Sequence, residues 1–130
     1  MSEQARARLL VVHPESSIRR AWEERLRRHG YDVATAANGE EALGWLMQRD
    51  FDLVLVEPKL PGMTGFELAR CAQRCQPEAK LLVFIGGRNA TDVPAMVDGV
   101  DYLRKTTNPE EVVYLVNALL SQQPARHMAV

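Results

Sequence analysis

The sequence predicts an α/β fold, a doubly wound (βα)5 sheet of five parallel strands with helices on both faces, on three observations. Apolar runs alternate with segments of helical periodicity: "RLLVV" (8–12), "DVATA" (32–36), "DLVLV" (52–56), "KLLVFI" (80–85) and "VDYL" (100–103). The first, third and fourth runs are nearly continuous in Val, Leu and Ile, which suits strands buried on both faces. Strand and helix alternate throughout, and such units close into one sheet through right-handed crossovers.

Taken in order, the first run passes through His13-Pro14-Glu15 into a helix predicted over 15–29, where Ile18, Trp22 and Leu26 recur at helical spacing. Ser16 and Ser17 lie near its start and Gly30 supplies the stop. After the second strand, the Asn38-Gly39 turn leads into a helix over 39–48 that faces Ala42, Leu43 and either Leu46 or Met47 inward. A third helix, "GFELARCAQRC" (65–75), is ended by Pro77. Between Gly87 and Gly99 an internal Pro94 and few good helix formers predict a short or distorted fourth helix. The fifth begins at Asn108-Pro109, an N-cap followed by proline at the first helical position, and runs to about Leu120. Residues 1–121 are thus one domain, and 122–130, with Pro124 and no periodicity, read as a disordered tail or linker stub.

A chain of 130 residues can bury a real core without disulfides or a metal. The 16 Lys+Arg balance 17 Asp+Glu for a net charge of -1, so the totals favour neither nucleic acid nor an anionic membrane. Arginines cluster early, at Arg6, Arg8, Arg19, Arg20, Arg25, Arg27 and Arg28, and read as a solvated helix surface ahead of one basic face. No apolar run approaches a membrane span and the N-terminus lacks the apolar core of a signal peptide, so a soluble, cytoplasmic protein is expected. Cys71 and Cys75 have no second metal-spaced pair beside them and read as reduced thiols.

In open α/β sheets chemistry collects at the carboxyl ends of the strands, near the point where strand order reverses. The residues placed there are His13-Pro14, Glu57-Pro58-Lys59, Gly86-Gly87 and Lys105. At these strand ends, and through "LLVV..E..IRR", "DV..A.NGEEAL", "DLVLV...LPGM.GFEL" and "DYL.K...PEE", the sequence resembles the response regulator receiver domain of two-component signalling over roughly residues 7–121. The resemblance implies the flavodoxin-like receiver fold. It also implies an acidic pair after the first strand for magnesium, a phosphoacceptor aspartate after the third, a Thr or Ser after the fourth and a Lys after the fifth.

Placed on that pattern, the acidic pair falls on His13 and Pro14, the acceptor on Glu57, the hydroxyl residue on Gly86 and the lysine on Lys105; only the lysine matches. Magnesium wants oxygen ligands in octahedral array, which imidazole and proline do not supply, so no cofactor is expected and the magnesium site is read as lost. The extra methylene of Glu57 spoils in-line attack geometry. A Glu57–Lys105 ion pair is expected in its stead, with His13 a hydrogen-bond partner for Glu57 and Lys59, ahead of Arg88, able to swing a cation over the pocket. Gly86 cannot couple a phosphoryl group to the following loop, and Gly87 adds freedom there. Tyr102, at the family's switch aromatic, is expected to hold one orientation, and Lys105-Thr106 to be trans.

The leading expectation is a degenerate pseudo-receiver, a phosphorylation-independent interaction module and not an enzyme. Its expected partner is a signalling protein, an effector domain or a second copy of the chain, met, as the resemblance implies, on the face of the fourth helix, fifth strand and fifth helix, which carries Arg104, Tyr114 and Leu115. Nucleic acid and membrane are not expected partners. One alternative is a receiver still phosphorylated through non-standard acceptor chemistry. Another is an enzyme or small-ligand binder reusing His13, Glu57 and Lys105, although no G-x-G-x-x-G or P-loop supports nucleotide binding.

Overall fold

The computed structural model describes residues 6–85, 99–104 and 108–121, with the backbone alone at 85 and 102–104. Five strands, β1 (Arg8–Val12), β2 (Asp32–Ala36), β3 (Leu53–Val56), β4 (Lys80–Ile85) and β5 (Val100–Arg104), form one parallel sheet in the order β2-β1-β3-β4-β5. Four helices are described: α1 (Ser16–Arg28), α2 (Gly39–Gln48), α3 (Gly65–Cys75) and α4 (Pro109–Ser121), the last being the fifth helix of the sequence reading. The fold is therefore the flavodoxin-like α/β sheet that was expected. The distorted fourth helix, Gly86, Gly87, Lys105, the Lys105-Thr106 peptide and the 122–130 tail lie outside the described residues.

Side-chain alternation along the strands builds two cores. Leu9 and Val11 of β1, Leu53 and Leu55 of β3, and Leu82 and Phe84 of β4 point to one face, where Trp22 and Leu26 of α1 meet Val112, Val113, Val116 and Leu119 of α4. Leu10, Val12, Val54, Val56, Leu81 and Val83 point to the other, against Ala42 and Leu46 of α2 and Leu68, Ala69 and Ala72 of α3. Both faces of the three central strands are thus dry, which is why their sequences run apolar without alternating.

Boundaries differ from the sequence reading by a residue or two. β3 starts at Leu53, and just ahead of it the Asp52 carboxylate accepts from the Arg8 amide at 2.8 Å while the Asp52 N–H donates to the Arg8 carbonyl at 2.7 Å. α1 starts at Ser16 with Glu15 as its N-cap, and neither serine caps it. In α2 Leu46 is the buried residue and Met47 is 80% exposed, since one residue along a helix turns the side chain by about 100°. No described helix is long and apolar enough to cross a membrane.

Candidate functional site

The strand order reverses beside β1, whose neighbours are β2 and β3. Val12 is in register with Ala36 and Val56, so the next residues, His13 and Glu57, leave the sheet side by side at this switch point. Their amides continue the ladder, His13 N–H donating to the Ala36 carbonyl and Glu57 N–H to the Val12 carbonyl, both at 3.1 Å. Backbone pairing alone therefore brings together two of the residues read as site residues.

His13 is 4% exposed and Glu57 3%, the only ionisable groups among the buried described residues. His13 Nδ1 accepts a hydrogen bond from the Glu15 amide at 3.1 Å. That bond assigns the proton of the neutral ring to Nε2. Nε2 lies 3.7 Å from Glu57 Oε1, close enough for attraction yet longer than a hydrogen bond, so the expected contact is present in a looser form. The edge of the imidazole meets the Trp22 ring, centroids 5.2 Å apart at 85°, and Trp22 leans on Phe84 of β4 at 5.5 Å. The Arg19 guanidinium donates to the His13 carbonyl at 2.8 Å. Pro14 is exposed and stands in the turn between strand and helix, where its fixed φ suits the chain and it offers no side-chain ligand.

The loop after Glu57 is held from below by α3. Gly65 N–H donates to the Pro58 carbonyl at 2.9 Å. A Cβ on Gly65 would stand 2.5 Å from the Glu57 carbonyl oxygen and 2.7 Å from Pro58 Cα, so the close approach requires glycine. Thr64 and Glu67 close a capping box, the threonine hydroxyl accepting from Glu67 N–H at 3.1 Å and the glutamate from Thr64 N–H at 3.0 Å. Lys59 is exposed on this loop and is not part of the buried pair.

Other sequence candidates lie elsewhere. Tyr102 and Arg104 are on β5, in register with Val83 and Ile85, and the orientation expected of Tyr102 lies outside the described side chains. Tyr114 is 71% exposed on α4, whereas Leu115 is half-buried against the α1–α4 core. Two contributors escaped the sequence reading: Arg19, which looked like one more solvated arginine, and the role of Trp22 beneath the imidazole. Both follow from α1 starting directly after Glu15, a spacing that places residues four and seven further on over the strand end.

The family described as Response regulator receiver domain matches residues 9–117. The chain is 32% identical over 121 residues to the Transcriptional regulatory protein ResD of Bacillus subtilis, covering 92% of this chain and 50% of ResD. It is 30% identical over 113 residues to the Transcriptional regulatory protein SrrA of Staphylococcus aureus, covering 86% and 47%. The chain thus spans about half the length of the curated relatives it matches. Among solved structures it is similar to a CheY-like response regulator receiver domain protein from Methanospirillum hungatei, with a TM-score of 0.84 at 28% identity over 94% of this chain and 99% of that one. It is also similar to the response regulator protein TrrA of Thermotoga maritima in complex with Mg(2+)-BeF, with a TM-score of 0.75 at 31% identity over 87% and 98%. With the match running from β1 into α4 on this strand order, the chain belongs to the response regulator receiver domain family of two-component signalling.

Proposed function

We propose that this receiver works without phosphorylation, as an interaction module whose phosphoryl pocket is closed by the His13–Glu57 pair. The observation that carries the reading is Glu57 itself: at the end of β3, where the family resemblance expects an aspartate, a longer carboxyl side chain is buried with an imidazole Nε2 at 3.7 Å. The magnesium that the resemblance implies does not fit these residues. Pro14 brings no ligand, and His13 presents a proton at Nε2 while its other nitrogen is taken by the Glu15 amide. A hard cation seeking oxygen ligands gains one carboxyl group here and meets an N–H. The chain has no cofactor and no enzymatic activity in this reading, and it acts in the cytoplasm.

Its partner is a signalling protein or an effector domain, met on the face of β5 and α4. The exposed Tyr114 supports this, an aromatic side chain standing 71% in solvent on a helix whose other apolar residues are buried or half-buried. A pull-down comparing wild type with Tyr114→Ala, Leu115→Ala should lose the partner; unchanged recovery removes this face from the proposal. Glu57 still carries a carboxyl group, so phosphorylation through an altered acceptor is the competing outcome. Incubation with magnesium and acetyl phosphate, followed by intact-mass measurement, should leave the mass unchanged, and a phosphate adduct that survives isolation of the folded chain would overturn phosphorylation independence.

A further inference from the structure

The chain's two cysteines, Cys71 and Cys75, sit one helical turn apart in α3, both as free thiols. Residues four apart on a helix share a face, with Cβ atoms about 5–6 Å apart. A disulfide needs a Cβ separation of about 3.5–4.5 Å, so this pair is too far apart to close directly without distorting the helix. One additional atom between the sulfurs removes that mismatch. Cys71 is half-buried and Cys75 exposed, so neither residue is sealed in the core.

Space for a ligand adjoins Cys75. Cys75 lines an open cavity of about 540 Å³ at the amino-terminal end of the sheet, together with Arg8, Asp50, Phe51 and Gln76. This is the opposite end of α3 from Gly65, which contacts the loop after Glu57. The cavity is therefore separate from the His13–Glu57 pair.

We propose that Cys71 and Cys75 form a dithiol site for a thiophilic centre that bridges two sulfurs, of which trivalent arsenic is the chemical type. Soft thiol ligands select such centres, and two sulfurs with one retained substituent complete trivalent arsenic without a third protein ligand. With phenylarsine oxide, both As–O bonding interactions are replaced by two As–S bonds. The two thiol protons leave with the oxygen as one water, and neither arsenic nor sulfur changes oxidation state. The phenyl group has room in the cavity beside Cys75.

The test is intact-mass measurement of the folded chain after phenylarsine oxide treatment and a wash with excess 2-mercaptoethanol, which strips arsenic held by a single thiol. Wild type should retain one phenylarsenic per chain, and Cys71→Ser and Cys75→Ser should each retain none. Loss of the adduct from wild type overturns the proposal without reference to any variant. Retention in either single variant overturns it as well, since one sulfur would then suffice; Cys75→Ala, at an exposed position, repeats that arm in a second side chain.

Discussion

At the scale of single residues, the molecule turns on what replaces side chains of familiar type at the strand ends. His13 is buried between Trp22 and Glu57, with one ring nitrogen accepting from a backbone amide and the other facing a carboxyl oxygen. His13→Ala removes the ring from against Trp22, leaves the Glu15 amide without its acceptor and takes the Nε2 proton from beside Glu57. We expect a loss of about 2–4 kcal/mol in urea unfolding, together with a change in Trp22 fluorescence. A loss below about 0.5 kcal/mol would show the imidazole to be idle there. Gly65→Ala forces a Cβ against backbone atoms that cannot rotate away, the Glu57 carbonyl oxygen and Pro58 Cα, and should cost about 1–3 kcal/mol. Gly44→Ala is its control. Gly44 lies within α2 with nothing within 4 Å of an added Cβ, so alanine there should stabilise by about 0.5–1 kcal/mol in the same assay. The positions of His13 and Glu57 were legible in the sequence because strand ends follow from apolar runs. The loose 3.7 Å contact and the ring's proton were not, because they depend on where the Glu15 amide points after the turn.

At the scale of elements, α2 and α3 start where local chemistry says, and one long-range clasp was invisible. α2 is capped by Asn38, whose side chain accepts from Glu41 N–H at 2.9 Å, and α3 by the Thr64–Glu67 box; both lie in plain sequence signatures. Gln76 is different. It caps the end of α3, and its buried amide donates to the Leu46 carbonyl at 2.9 Å and the Arg49 carbonyl at 2.6 Å while accepting from Phe51 N–H at 2.7 Å. One side chain thus satisfies carbonyls at the end of α2 and fixes the chain just before β3, over sequence separations of 25 to 30 residues. Nothing in "RCQPE" distinguishes it from a solvated glutamine, since its partners come from another helix. Gln76→Ala leaves three buried or half-buried backbone groups unsatisfied and should cost about 2–4 kcal/mol in urea unfolding. A loss below about 0.5 kcal/mol would mean that the clasp contributes little to stability.

At the scale of the whole molecule, a parallel sheet with helices on both faces follows from alternation and handedness, and the two cores follow from strand period, so these were legible early. The strand order β2-β1-β3-β4-β5 was implied only by the family resemblance, because right-handed alternation allows more than one order. How α1 and α4 are tied together was not legible. Beyond their shared core, Arg25 pairs with Glu110 near the start of α4, and the Tyr31 hydroxyl, just past the end of α1, donates to Asn117 further along the helix. These contacts join residues more than 80 positions apart and anchor at both ends the helix proposed to carry the partner surface. Burial raises the Tyr31 hydroxyl above its ordinary value of 10.0. The folded state therefore holds the phenolic proton more tightly than the unfolded chain does, and its contribution is fully present below the unfolded value. It declines as pH rises from about 10 through the higher folded value, because the unfolded chain loses the proton first and a phenolate cannot donate to Asn117. Wild type should lose stability across this alkaline window in urea titrations run at successive pH values. Tyr31→Phe should start lower at pH 8 and lose less over the same window, since it has no proton to give up. Parallel curves for the two proteins would separate Tyr31 from the alkaline loss and leave the Arg25–Glu110 pair as the polar tie between the helices.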